Sequence, residues 1–299
     1  MNYLYHLLVY FGVYATLALG LNLVVGYCGL LTLAHAGYFA VGAYAYALGV
    51  SAWGLDPMLA MVLAFAVGGV LSTLVSLTTW RLKGDYFVMA TMAVQVFLYS
   101  AAYNWVSTEA PVGSLANLTN GPFGIAGVAR PSVFGIKLAT LGSMAVFSLG
   151  VAGLAMLVCW LLQTSPWGRL LKCMRDDELA TRNLGKNVQL LKVQALFLAS
   201  ALAAVAGAVY AGYTSYIDPS LATVDQSILF LSMIFVGGMG NLKGPLAGAA
   251  ILLLIPEVLR FMQIPDAVAA EIRVMLYGLL LVLIVRFKPE GVAGEYRVN

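Results

Sequence analysis

The sequence predicts an all-α polytopic membrane protein with about eight to ten transmembrane helices. Of its 299 residues, 62% are hydrophobic and only 10% are charged, whereas typical soluble domains have about 45–50% and 25%. The mean hydropathy is +0.91. The apolar residues form continuous runs, which argues against the alternating pattern of a transmembrane β-barrel. Together these observations argue against a soluble enzyme, a disordered chain and a disulfide scaffold.

Nine apolar runs are candidate membrane helices. The first has no positively charged segment ahead of it, so we expect it to be a retained membrane helix rather than a signal peptide. The seventh and eighth are short and adjoin glycines, so either could be broken or re-entrant. The runs cover residues 3–25, 30–50, 58–80, 86–106, 138–162, 191–213, 227–238, 245–262 and 267–287.

Glycines separate the first run from the second. Gly26 and Gly29 lie between them, and each glycine inside a helix costs roughly 1 kcal/mol. We therefore expect an unwound stretch that lines a cavity. The alternative is the usual role of glycine in membrane helices, which is to let backbones pack closely.

The third, fourth and fifth runs are separated by segments of different character. Arg81 and Lys83 follow the third run, whereas residues 107–136, between the fourth and fifth, are rich in proline and glycine. This composition predicts a turn-rich loop.

Charge predicts the orientation of the chain. The segment 163–190, between the fifth and sixth runs, is the most basic and is expected to be cytoplasmic and partly helical. Counting crossings outward from it places twelve of the sixteen Lys and Arg residues on the cytoplasmic side. The N-terminus is then outside and the C-terminus inside, unless one segment is re-entrant. The net charge of +3 is too small to indicate a nucleic-acid partner.

The seventh and eighth runs flank a second glycine cluster. Residues 236–242 and residues 25–31 share the pattern V-G-x-x-G-x-L, which makes them a candidate internal repeat. Glycine-interrupted segments at matching positions of repeated halves point to the substrate path of a transporter.

Polar side chains inside the apolar runs are few. Asn22, Thr32, His35, Gln95 and Asn104 stand out, and such groups usually face the bundle interior or a water-filled path. His35, just beyond the first glycine break, either lines a path or is a neutral histidine that hydrogen-bonds to a neighbouring backbone or hydroxyl group.

Enzyme motifs are weak. The acidic cluster at residues 176–178 could hold Mg²⁺ and a diphosphate, but the sequence has no second aspartate-rich motif, and the flanking Arg175 and Arg182 favour a solvated, ion-paired helix. The sequence contains no G-x-x-x-x-G-K-(S/T) motif for nucleotide binding. The three cysteines support neither a disulfide framework nor a metal site. We therefore expect no enzyme activity, metal or cofactor in this chain.

Four stretches resemble one transporter family. Residues 18–44 read ALGLNLVVGYCGLLTLAHAGYFAVGAY, which resembles the permeases of branched-chain amino acid ABC importers and, among them, the LivM type. Residues 175–180 (RDDELA) with residues 185–188 (GKNV) are similar to the family's cytoplasmic loop. Residues 236–249 (VGGMGNLKGPLAGA) match its late glycine motif, and residues 120–125 (NGPFGI) loosely match a periplasmic motif.

The resemblance implies a single transmembrane permease domain over residues 1–299, with a periplasmic loop at 107–136 and a cytoplasmic coupling loop at 163–190. It implies alternating access in a bacterial inner membrane, driven by ATP bound to partner subunits. The implied partners are a LivH-type permease in a heterodimer, two cytoplasmic ATPases and a periplasmic binding protein. Importers of urea, short amides and sugars share this superfamily, so the solute stays open.

The resemblance also implies two sets of functional residues. Coupling to the ATPase is expected at Arg175, Asp176, Asp177, Glu178 and Gly185. The translocation path is expected near Asn22, Gly26, Gly29, His35, Gly37, Gly237, Gly238 and Gly240.

Two other classes stay open as alternatives. An ion-coupled secondary transporter or channel predicts acidic residues at membrane depth, for which Glu257 and Glu271, both near the ends of runs, are the candidates. An intramembrane transferase predicts clustered Asp or His residues on one face, and the sequence has no such cluster.

Overall fold

The computed structural model describes residues 2–79, 81–82, 84–133, 136–261, 266–288 and 290–294. Within them the chain forms eleven α-helices and four two-residue strands. The helices are α1 (Asn2–Asn22), α2 (His35–Ser51), α3 (Pro57–Thr79), α4 (Asp85–Asn104), α5 (Leu141–Thr164), α6 (Pro166–Asp176), α7 (Glu178–Asn183), α8 (Val188–Thr214), α9 (Val224–Gly237), α10 (Lys243–Phe261) and α11 (Asp266–Phe287). The strands are β1 (Ile125–Ala126), β2 (Ser132–Val133), β3 (Ile136–Lys137) and β4 (Tyr216–Ile217).

The all-α prediction is confirmed. Among the described residues, each of the nine predicted runs contains a helix, and the segment between the fifth and sixth runs holds α6 and α7. In the described part of the chain, five helices are long and apolar enough to cross a membrane: α1 with the π-helical turn Leu23–Tyr27 that extends it, α3, α4, α5 and α8. The predicted helix ends at residues 80 and 262 lie outside the described residues.

The core of the bundle is built on small residues. Gly207 of α8 faces the backbone of Phe39 of α2, and a Cβ there would lie 2.9 Å from the Phe39 carbonyl carbon. Gly42 of α2 faces the backbone of Ala204 in the same way. Such close approach gives membrane helices their dispersion contacts where the hydrophobic effect offers little. By contrast, α3, α4 and α5 expose large apolar side chains on the periphery.

The predicted start of the second helix at residue 30 is wrong. α2 begins at His35: the chain is non-helical from residue 28 to residue 34, and Gly29 in this stretch adopts φ +70°. The N–H of Leu30 bonds back to the Val24 carbonyl at 3.0 Å. Residues 30–33 are apolar, so their sequence did not indicate that they are non-helical.

The two ends of the bundle differ. At one end the turn-rich segment after α4 packs over the helices: β1 pairs with β4, with Ile125 opposite Ile217, and the Tyr46 hydroxyl donates to the Ala129 carbonyl at 3.0 Å. The opposite end carries α6, α7 and the glycine breaks.

Candidate functional site

The two glycine-containing segments predicted from the sequence pack against each other where Gly26 meets Gly240. We call residues 28–34 the first break and residues 238–242 the second break; both are non-helical. Asn22, the last residue of α1, is 1% exposed and binds the second break. Its Nδ2 donates to the Asn241 carbonyl at 2.8 Å, and its Oδ1 accepts from the Gly240 N–H at 3.2 Å.

Matching glycines of the candidate repeat share a conformation. Gly29 has φ +70° and Gly240, its counterpart, has φ +89°. Both lie in the left-handed region that strongly favours glycine. Gly26 is packed so closely that a Cβ would lie 2.8 Å from Asn22 Cγ and 3.0 Å from the Gly240 nitrogen. The glycines of the breaks therefore combine turning with close packing.

The second break is also held by the end of the described chain. The N–H groups of Val292 and Ala293 donate to the carbonyls of Val236 (3.0 Å) and Gly237 (2.8 Å). Gly238, with φ +105°, packs against this segment, and a Cβ there would lie 2.5 Å from the Gly294 Cα. These bonds satisfy carbonyls at the end of α9 that have no intrahelical partner.

His35 and Gly37 lie in the first turn of α2. His35 is buried, with Nε2 3.3 Å from the Leu17 carbonyl, a contact that fits the packing alternative; a path role stays a prediction. The Gly37 N–H donates to Gln95 Oε1 at 2.7 Å. Gln95 Nε2 in turn donates to the Ala222 carbonyl at 2.7 Å.

The sequence indicated that Gln95 is a polar residue in the bundle interior, but it did not indicate its hydrogen-bond partners. Together with Thr91, one helical turn away on α4, it satisfies backbone N–H groups at the start of α2, since Thr91 Oγ1 accepts from the Leu33 N–H at 3.1 Å. The i,i+4 spacing of these polar residues on one helix face was the available signal.

The predicted coupling residues cap and brace α7. Asp177 Oδ1 accepts from the Ala180 N–H at 2.9 Å, which is an N-cap. Glu178 pairs with Arg182 at 3.2 Å and with Lys192 of α8 at 2.9 Å. Acidic groups at the start of this short helix and a basic group near its end complement the helix dipole.

Arg175 connects α6 to the first break. Its Nη1 donates to the Gly26 carbonyl, and a Cβ on Gly29 would lie 2.8 Å from Arg175 Cγ. Asp176 is exposed. Gly185, with φ +74° and open space around it, turns the chain after α7.

Sequence reasoning missed two exposed leucines on this segment. Leu179 is 63% exposed and Leu184 is 75% exposed. In a chain so rich in apolar residues, single leucines carry no signal of their own. On a charged segment outside the apolar runs they form the apolar part of a surface that can contact another protein.

Sequence comparisons find similar proteins for nearly the whole chain. Residues 3–285 match the family model described as branched-chain amino acid transport system / permease component. The chain is 28% identical to the high-affinity branched-chain amino acid transport system permease protein LivM of Salmonella typhimurium, over 93% of this chain and 67% of that protein. It is 26% identical to a probable LivM of Methanocaldococcus jannaschii, over 97% of this chain and 92% of that protein. It is 24% identical to Escherichia coli LivH, over 96% of this chain and 92% of that protein. No solved structure matches.

Proposed function

The chain belongs to the family of permease components of branched-chain amino acid transport systems, and we propose that it is the LivM-type permease subunit of a bacterial ABC importer. It moves branched-chain or related amino acids across the inner membrane by alternating access. It works as a heterodimer with a LivH-type permease, and its relatives, which are permease components, include proteins of both names. Two cytoplasmic ATPases bind the ATP, and a periplasmic binding protein delivers the solute.

The bundle is proposed to sit with its N-terminus outside and its C-terminus in the cytoplasm. The basic residues of α6 and α7 then face the cytoplasmic ATPases, as the distribution of Lys and Arg predicts. The segment around β1 and β2 faces the binding protein on the opposite side. The two breaks lie at the cytoplasmic end, where their tight packing closes the path.

The contact of Arg175 with the Gly26 carbonyl is the observation that carries the coupling part of this proposal. It joins α6 to the first break, and Asn22 joins that region to the second break. A push on α6 and α7 would therefore reach the π-helical turn through a hydrogen bond. It would reach the first break through the packing of Arg175 on Gly29, and the second through the packing of Gly26 on Gly240. Packed elements of this kind transmit rigid-body displacements of small amplitude.

The exposed surface of α7 is the proposed ATPase contact. Leu179 and Leu184 supply apolar area, and the charged side chains around them supply orientation. Gly185 is needed because its positive φ turns the chain there without strain.

The test measures ATP-driven leucine uptake by the assembled importer in proteoliposomes. We expect Gly185→Trp, and charge reversal at Asp177 and Glu178, to abolish uptake at matched protein amounts. Because these changes also disturb α7 itself, Leu184→Asp is the cleaner variant, and Leu115→Asp, which changes an 88% exposed leucine on the opposite side, is its control.

Leu184→Asp is expected to lower uptake and ATPase co-purification at least tenfold, while Leu115→Asp keeps both ATPase subunits bound. Normal ATP-dependent uptake in Gly185→Trp and Leu184→Asp would overturn the assignment of this surface.

A further inference from the structure

A polar cavity lies between α1, α9, α10 and α11, away from the glycine breaks. Its volume is about 240 Å³, which corresponds to about eight water molecules at ~30 Å³ each. This volume is large enough to hold an amino acid with a small aliphatic side chain. The lining of the cavity combines tyrosine and glutamate side chains with leucine and methionine side chains.

The polar wall carries one carboxylate and several aromatic rings. Glu257 of α10 lines the cavity with Tyr10 and Tyr14 of α1 and Tyr277 of α11. Among the described residues, Oε2 of Glu257 is buried and has no hydrogen-bond partner. It is also the only carboxylate among the described lining residues.

The proline before Glu257 adds a second acceptor. Pro256 lies inside α10 and has no N–H, so the Leu252 carbonyl one turn earlier lacks its usual helical donor. Both Leu252 and Pro256 line the cavity. The same wall therefore offers two acceptor groups, the Glu257 carboxylate and the Leu252 carbonyl.

A carboxylate held inside a membrane bundle without a partner is costly, so such residues mark functional sites with a cationic partner. A primary ammonium group has three donors, which suits the carboxylate and the Leu252 carbonyl. The faces of Tyr10 and Tyr14, whose ring centroids are 6.0 Å apart, attract an organic ammonium ion through their π electrons.

The apolar wall suits the remainder of the solute. Leu229 and Met233 of α9 and Leu253 of α10 face the cavity. Small-molecule sites have this composition, with mostly apolar walls and a few convergent polar groups that fix orientation.

We infer that this cavity is a solute subsite in which Glu257 binds the ammonium group of the amino acid and the leucine and methionine side chains contact its aliphatic part. This inference rests on the proposed function and adds to it the residue that recognises the charge of the solute.

The experiment measures ATP-driven uptake of radiolabelled leucine by the assembled importer in proteoliposomes with its binding protein. Glu257→Gln keeps the shape of the side chain and removes its charge, whereas Glu257→Asp keeps the charge and shortens the side chain. Glu109→Gln, at an exposed carboxylate of the loop after α4, is the matched control.

We expect Glu257→Gln to lower uptake at least tenfold while ATP hydrolysis stimulated by the loaded binding protein stays within twofold. Glu257→Asp is expected to retain more uptake than Glu257→Gln, and Glu109→Gln to equal the wild type.

Wild-type uptake in Glu257→Gln, or greater uptake in Glu257→Gln than in Glu257→Asp, would overturn the inference, because shape rather than charge would then matter. Uptake that depends on sodium in the wild type and loses that dependence in Glu257→Gln would also overturn it, by assigning the carboxylate to an inorganic cation. Failure of the proposed function is distinct, since the wild-type importer would then transport no branched-chain amino acid at all.

Discussion

Gly26→Ala tests the packing of the two glycine breaks. A Cβ at this position would lie 2.8 Å from Asn22 Cγ and 3.0 Å from the Gly240 nitrogen. Neither neighbour can yield freely, because Gly240 contributes backbone and Asn22 is fixed by its bonds to Asn241 and Gly240. The added methyl group must therefore displace Asn22.

The expected loss in the free energy of unfolding follows from these contacts. Hydrogen bonds between membrane helices are each worth about 0.6–1.7 kcal/mol, so losing both Asn22 bonds costs roughly 1–3 kcal/mol. Overpacking adds about 1–3 kcal/mol. The control is Gly150→Ala on α5, where a Cβ meets nothing within 4 Å. Because the control shares the change in helix propensity, we expect Gly26→Ala to be less stable than Gly150→Ala by about 2–6 kcal/mol.

The free energy of unfolding is measured in mixed detergent–SDS micelles by circular dichroism. In an Asn22→Ala background the cost of Gly26→Ala should fall markedly, since the displaced side chain is already gone; a double-mutant cycle measures this coupling. Equal stability of Gly26→Ala and Gly150→Ala, or full additivity with Asn22→Ala, would refute the packing argument.

Three further predictions follow from single contacts. Gln95→Leu leaves the buried Gly37 N–H and Ala222 carbonyl without their partner, so the free energy of unfolding should fall by about 2–4 kcal/mol; an unchanged SDS midpoint would contradict this. Asp177→Ala removes the N-cap of α7, worth about 1 kcal/mol, so hydrogen exchange of α7 amides should accelerate about fivefold, and unchanged exchange would count against the cap. His35→Ala should change the kinetics of leucine uptake at matched membrane amounts, and unaltered kinetics would leave His35 a packing role alone.

The sequence predicted the helices well because long apolar runs have few alternatives in a membrane. It located the breaks only approximately, since Gly26 lies in the π-helical turn and Gly237 at the end of α9, each just before the non-helical residues. It misplaced the start of α2, because residues 30–33 are apolar and only the backbone conformation at Gly29 ends the helix. Apolar character reports burial and not backbone geometry.

The contacts between distant segments could not be predicted. Asn22 and Asn241 lie 219 positions apart, and no pattern in a single sequence pairs them. Glu257 was noted as an intramembrane acid near the end of a run, whereas its cavity depends on how α1, α9, α10 and α11 pack. The side chain of Glu271, the other acid noted, lies outside the described part of the chain.

The roles in coupling and in the path remain predictions, and Arg175 tests them most directly. The measurement is the number of leucine molecules transported per ATP hydrolysed by the assembled importer. Arg175→Ala removes the bond to the Gly26 carbonyl, and Arg169→Ala, an exposed arginine on the same helix, is the control. We expect the ratio to fall at least tenfold in Arg175→Ala, with ATP hydrolysis retained, and to stay unchanged in Arg169→Ala. A wild-type ratio in Arg175→Ala would contradict the proposal that α6 acts on the glycine breaks through this residue.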